Sequence, residues 1–329
     1  MSAIASPQPP AAPATDGGSP TAPGTRERGW STLDWRIRSG TVALIWGSCF
    51  LLIELGTNGY APPYVSLGRM IFGTLVLAGT LAVKRERLPR GVRTWGHLVV
   101  AGFLLNAFPF TVLAYSQLTI SSTLAGICSA TIPLWGMALS LLALSDDRPT
   151  RRHFGGLAIG FIGVLTVLRV WRGFSGEDAV GIAMALAGAA SYAAGWMHVR
   201  RALAGTGSPH LSLTVGQMLL GTAQIAVIAP VLSPLPTSFP VVPMLAITVL
   251  GALGTGFATL TQYGVVIEVG PTVAAVNTYF IPIVAIVAGV TFLGEPLTWN
   301  IPVGTLIVLA GAALTQPGQR PRPAGESHH

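Results

Sequence analysis

Residues 132–164 read IPLWGMALSLLALSDDRPTRRHFGGLAIGFIGV, and residues 281–312 read IPIVAIVAGVTFLGEPLTWNIPVGTLIVLAGA. Each opens on Ile-Pro inside an apolar run, at Pro133 and Pro282. Each then reaches an acid, Asp146–Asp147 in the first and Glu295 in the second. From Asp147 and Glu295 onward the register holds at an offset of 148: Thr150 matches Thr298, Gly156 matches Gly304, Ile159 matches Ile307 and Gly163 matches Gly311. A proline, an acid, a threonine and two glycines shared in order mark an internal duplication.

The composition says what is duplicated. Apolar residues make up 51% of the 329 and charged residues only 9%, against roughly 25% in soluble proteins. The mean hydropathy is +0.62. A spanning helix needs about 20 apolar residues. Ten such runs can be marked, at 37–57, 63–83, 96–115, 119–144, 153–171, 179–199, 210–233, 241–263, 272–293 and 299–315. The two quoted stretches are the fourth-to-fifth and ninth-to-tenth runs. The sequence therefore predicts an all-α integral membrane protein of ten transmembrane helices, built as two five-helix repeats over 37–171 and 179–315. Because five is odd, the second repeat enters the membrane from the opposite side. Such inverted repeats are a common basis of alternating access in transporters.

Lysine and arginine accumulate in cytoplasmic loops. With the N-terminus inside, 16 of the 19 bases fall on cytoplasmic segments, Arg169 and Arg172 fall outside, and Arg69 stands within a span. This predicts a multi-pass protein of the cell (inner) membrane with both termini in the cytoplasm. Residues 1–36 are rich in Pro, Ala, Gly and Thr and lack the basic and apolar regions of a signal peptide. They read as a disordered cytoplasmic tail, and 316–329 as a second one. The bases sit in short clusters between apolar runs, which argues against a nucleic-acid partner. Cys49 and Cys128 lie in apolar runs and suggest neither a disulfide nor a metal site. His97, His153, His198 and His210 fall at cytoplasmic helix ends, where they decorate the interface. The chain has no H-E-x-x-H, no Gly-x-Ser-x-Gly and no phosphate-binding Gly-x-x-x-x-Gly-Lys loop. No enzyme, no catalytic residue, no metal and no cofactor are expected, and the oligomeric state is open.

The runs ALIWGSCF (43–50), LGRMIFG (67–73), LTISSTLAGICSATIPLWGMALSLLALSDDRPT (118–150) and YFIPIVAIVAGVTFLGEPLT (279–298) resemble the drug/metabolite transporter (DMT) superfamily. Within it they are similar to the ten-helix group with two EamA-type domains, over about residues 40–315. The first copy departs from the family pattern, with LSDDRPT where Gly294–Glu295 supplies the usual Gly-Glu in the second. Both acids read as helix-end and loop-fixing residues. The resemblance implies a secondary transporter for a small metabolite or an amino-acid-like or drug-like compound, an efflux protein with a central cavity. The alternative is a flippase for a lipid-linked or amphipathic molecule, which needs a basic headgroup pocket. No cluster of bases lies inside the spans beyond Arg69, which counts against that alternative.

Pro133 and Pro282 should kink their helices and leave carbonyls that need partners. The residues that could line a central path are Trp46, Ser48, Asn106, Tyr192, Trp196, Gln262, Asn277 and Tyr279, with Thr255, Thr259 and Gln262 on one helix face. Polar side chains in spans also serve as interhelical glue, so lining and glue both stand for each. Arg69 is the residue that most needs a reason, because charges at bilayer depth are costly. Three readings compete: an ion pair with Glu54, a bidentate grip on an anionic substrate, or snorkelling to the headgroups. If protons drive the cycle, Glu54 is the acid to carry them.

Overall fold

The computed structural model describes residues 33–142, 151–169, 171, 176–203 and 205–315. Residues 1–32, the C-terminal tail and the Asp146–Asp147 pair lie outside them, while Trp35 and Arg36, expected in the N-terminal tail, already belong to the first helix. The described residues form helices and connecting turns, without a strand. They are α1 (Trp35–Thr57), α2 (Pro62–Val83), α3 (Val92–Ser116), α4 (Ser122–Ser129 and Ile132–Leu142), α5 (Arg151–Val167), α6 (Gly176–Ala202), α7 (His210–Leu232), α8 (Val241–Val269), α9 (Pro271–Ala274, Ala275–Tyr279 and Ile281–Leu293) and α10 (Asn300–Thr315). Seven are long and apolar enough to cross a membrane, α4 being counted across its break, while α5, α9 and α10 are apolar but shorter.

Local chemistry sets the helix ends. Asp34 caps α1 by accepting from the Arg36 N–H at 2.7 Å. Pro62 and Pro63 open α2, where the missing donors are not needed. Gly294 closes α9 at φ 67°, a left-handed conformation that glycine adopts without a Cβ clash.

The fourth and ninth spans are not the kinked continuous helices expected from Pro133 and Pro282. Each helix stops before its proline and restarts, so that the proline takes the second position of a new helix, Ile132–Leu142 or Ile281–Leu293. At the first break, the Thr131 hydroxyl donates to the Cys128 carbonyl at 2.6 Å. At the second, a 3-10 turn over Ala275–Tyr279 leads into the new helix. The ends of the other spans differ from expectation mainly by extension, with α8 continuing to Val269 and α6 starting at Gly176.

The duplication runs through the whole bundle. α2 begins at 62 and α7 at 210, while α3, α4 and α5 begin at 92, 122 and 151 against 241, 271 and 300 for α8, α9 and α10. The offset is therefore 148 or 149 for these four pairs, while α1 and α6 begin at 35 and 176. The two copies are inverted. The Tyr64 hydroxyl at the start of α2 donates to the Ser233 carbonyl just after α7 at 3.0 Å, and Ser212 at the start of α7 donates to the Arg87 carbonyl beyond α2. Between these antiparallel counterparts, the hydroxyls of Thr74 and Thr222 lie 3.0 Å apart. They stand 148 positions apart in the chain, so this contact sits on the pseudo-two-fold axis.

Glycines carry the close helix crossings. A Cβ on Gly73 of α2 would meet the Thr255 Cβ of α8 at 2.9 Å, and the counterpart on Gly221 of α7 would meet the Asn106 Cβ of α3 at 3.3 Å. The α5–α10 pair is tighter still, with a Gly304 Cβ only 2.8 Å from the Val167 backbone nitrogen and Gly311 set against the Gly160 backbone. Small residues allow this approach in lipid, where packing rather than the hydrophobic effect joins helices.

α3 and α8 share one further irregularity that the apolar pattern did not announce. Each widens into a π-turn, over Phe103–Ala107 and Leu250–Phe257, at equivalent places in the two repeats. In α3 the turn precedes Pro109, and the Phe108 N–H reaches back to the Phe103 carbonyl. π-turns often mark functional sites, and these two flank the crossings with α2 and α7.

Candidate transport site

Arg69 is the eighth residue of α2, about 10 Å along the helix from its start. It is 8% exposed, so it does not snorkel to the surface. Its Nε donates to the Thr255 hydroxyl in the α8 π-turn at 2.9 Å, and its Cζ lies 3.7 Å above the Phe110 ring of α3. The ring face provides cation–π attraction. Tyr192 of α6 packs on Phe110 with ring centroids 6.2 Å apart, and Met70, Ala107 and Ile225 close the cluster. Trp46 of α1 joins from the other side, its indole N–H donating to the Gly254 carbonyl beside Thr255 at 3.0 Å. Arg69, Tyr192 and Trp46 are thus gathered from α2, α6 and α1 around the two π-turns.

No carboxylate among the described residues pairs with Arg69. Glu54 does not, although the sequence offered it as a partner. Its Oε2 is buried without a hydrogen-bond partner, and its carboxylate faces the Ser122 N–H near Glu295. Arg38 and Glu268, 230 positions apart, form the ion pair instead and join the start of α1 to the end of α8. Nothing in the local sequence of either residue points to that pairing.

The remaining candidates divide. Asn277 donates to the Gln262 Oε1 at 2.6 Å, and Gln262 donates to the Ala274 carbonyl at 3.2 Å. These amides fasten the broken start of α9 to α8, which is the work of interhelical glue. The Tyr279 hydroxyl in the same 3-10 turn is buried without a partner. Asn106 lies in the α3 π-turn, 5% exposed, with its Nδ2 unpartnered. Ser48 is half-buried on α1. Trp196, one turn beyond Tyr192, is 50% exposed and stands apart from the Arg69 cluster. Sequence reasoning missed Phe110, which looks like any aromatic in an apolar run.

Glu295 spans the two repeats. Its Oε1 accepts from the Ser122 N–H and hydroxyl at 2.8 and 2.7 Å, and its Oε2 accepts from the Thr123 N–H at 3.1 Å. A carboxylate from the end of α9 therefore caps the start of α4, where the helix dipole favours negative charge. Beside it opens a recess of about 230 Å³, lined by Thr123, Ile127, Arg169, Glu295 and Asn300 among others. Arg169 donates to Asn300 at 2.6 Å, and Asn300 donates to the Val167 carbonyl at 2.8 Å.

Two inverted sets of apolar helices around a buried arginine have the architecture of a membrane transporter. The chain belongs to the EamA-like transporter family, whose model matches residues 40–169 and again 179–316. Bacillus subtilis has a relative, Uncharacterized transporter YdfC, 26% identical over 277 residues, which cover 82% of this chain and 87% of that one. The Escherichia coli K12 protein YedA, an inner membrane transporter by name, is 25% identical, with coverage of 78% and 81%. A Salmonella typhimurium protein named as a probable amino-acid metabolite efflux pump is 23% identical, with coverage of 85% and 94%. One solved crystal structure shares the fold at a TM-score of 0.61 and 20% identity, covering 85% of this chain and 95% of its own.

Proposed function

We propose that this protein is a secondary transporter that exports a small carboxylate-bearing or zwitterionic metabolite, of amino-acid-like size, by alternating access between its two repeats. The observation that carries this reading is Arg69. A buried guanidinium held by one neutral hydroxyl and a ring face has donors to spare and no countercharge. An uncompensated buried charge is costly, and a substrate carboxylate at this point relieves that cost. Arginine binds a carboxylate bidentately, with directional as well as electrostatic selectivity.

The distribution of basic residues supports cytoplasmic termini, and the likeness to YedA supports an inner-membrane location. The name of the Salmonella relative supports an amino-acid metabolite as cargo. The flippase alternative gains no basic headgroup pocket from the described spans. Metabolite profiling of the medium tests the proposal, with cells expressing the protein, its Arg69→Gln variant at matched membrane levels, or neither. The expected result is an anionic or zwitterionic compound that accumulates outside only with the intact protein. An unchanged medium, or full export by the variant, overturns it.

A further inference from the structure

The Arg69 cluster leaves Glu54 and Glu295 unused. Glu54 and Glu295 converge on a single helix start, that of the eight-residue helix Ser122–Ser129. Glu295 holds the Ser122 and Thr123 donors. Glu54 lies within electrostatic reach of Glu295, with its Oε2 buried and unpartnered. No lysine or arginine among the described residues pairs with either acid. Arg169, which lines the same recess, donates its Nε to Asn300. One helix dipole offers roughly half a positive charge, which leaves two carboxylates underneutralised.

A third oxygen points to what completes the group. Thr123 is 2% exposed, and its hydroxyl is buried without a partner. Its Oγ1 and the Glu295 Oε2 bound the same small space over Gly289, where a Cβ would lie 2.5 Å from each. Buried polar atoms are almost always satisfied, and a small cation in this space would take a lone pair from the Thr123 hydroxyl together with the Glu295 carboxylate. Oxygen-only ligands suit a hard cation and not a soft transition metal.

We propose that Glu54, Glu295 and Thr123 hold the coupling cation, a single positive charge supplied by a proton or by sodium. Its coupling role rests on the proposed transport function, while its existence as a site does not. The other titratable or charged groups toward this end of the elements around Glu54 are Cys49 on α1, Tyr60 in the α1–α2 turn, Tyr64 and Arg69 on α2, Tyr115 on α3, Cys128 on α4, Arg169 at the end of α5 and Tyr279 on α9. The half of α8 that begins at Val241 brings none.

The test uses the full chain in lipid nanodiscs and reads the thermal unfolding midpoint. In one arm sodium chloride replaces choline chloride at constant ionic strength and pH. In the other, pH is lowered in choline alone. A cation bound by the folded state stabilises it in proportion to occupancy. A saturable rise with sodium assigns the site to that ion, and a rise on acidification without sodium assigns it to the proton. Either response should vanish in Glu54→Gln and Thr123→Val but persist in Thr123→Ser, a pair that decides the matter even if the Glu54 variant folds poorly. A wild-type protein with neither response, or a Glu54→Gln variant with the full one, overturns the proposal. Export that persists with neither response leaves the transporter reading intact and removes only this site.

Discussion

The two helix crossings on either side of the pseudo-two-fold axis have the same geometry and different chemistry. At one, α2 meets α8 through Gly73 and Thr255; at the other, α7 meets α3 through Gly221 and Asn106. The repeat offset places Gln217 of α7 where α2 has Arg69. One crossing thus carries a charge bonded to a threonine, while the other has a neutral amide at the equivalent position of α7 and, on α3, an asparagine whose Nδ2 is unpartnered. Both crossings form. The charge is therefore not a requirement of the packing, and a residue the fold does without in one half is free to serve cargo in the other.

The comparison breaks first at Arg69. Arg69→Gln makes the first half resemble the second, and export should fall by about tenfold to a hundredfold, the scale of a lost charged hydrogen bond. The thermal midpoint of the purified variant should hold or rise, because an unpaired buried charge is removed. A variant that unfolds instead would make the arginine structural. Next come Gly73→Ala and Gly221→Ala. Each overfills a crossing and should destabilise by about 1–3 kcal/mol, read as matched drops in midpoint. A large effect in only one would show that the halves differ in packing as well as in charge.

Glu295→Gln tests the tie between halves. The amide keeps a carbonyl acceptor but loses the charge at the α4 start, with an expected cost of about 1 kcal/mol, measurable by the same unfolding assay. The smallest effect belongs to the axis. Removing the Thr74–Thr222 bond should cost about 0.6 kcal/mol. In a double-mutant cycle with Thr74→Ala and Thr222→Ala, the two single changes should match and the pair should be non-additive.

Much of the architecture was legible because glycine, proline and acid positions are local and recur at a fixed offset. Arg69 was legible for the same reason, since one base in an apolar run needs no partner to be noticed. The sequence left Gln262 and Asn277 open between lining and glue, and their mutual hydrogen bond could not be read from residues 15 apart on different helices. The π-turns escaped because one extra residue per turn barely disturbs an already apolar pattern. Arg38–Glu268, Phe110 beneath Arg69 and the Glu295 cap all depend on which helices become neighbours. Pro133 and Pro282 look like kinks in the sequence because nothing local shows that each proline restarts a helix instead of bending one.

The Thr74–Thr222 contact has a consequence for how such a chain can vary. In a dimer of identical five-helix subunits, a residue on the two-fold axis meets its own copy, and any substitution changes both sides together. Here the two hydroxyls belong to separately encoded positions of one polypeptide. The isologous geometry remains, but each face can be altered alone. Arg69 opposite Gln217 is the product of that freedom: a symmetric frame carrying a one-sided charge, which no symmetric dimer of a single sequence could display.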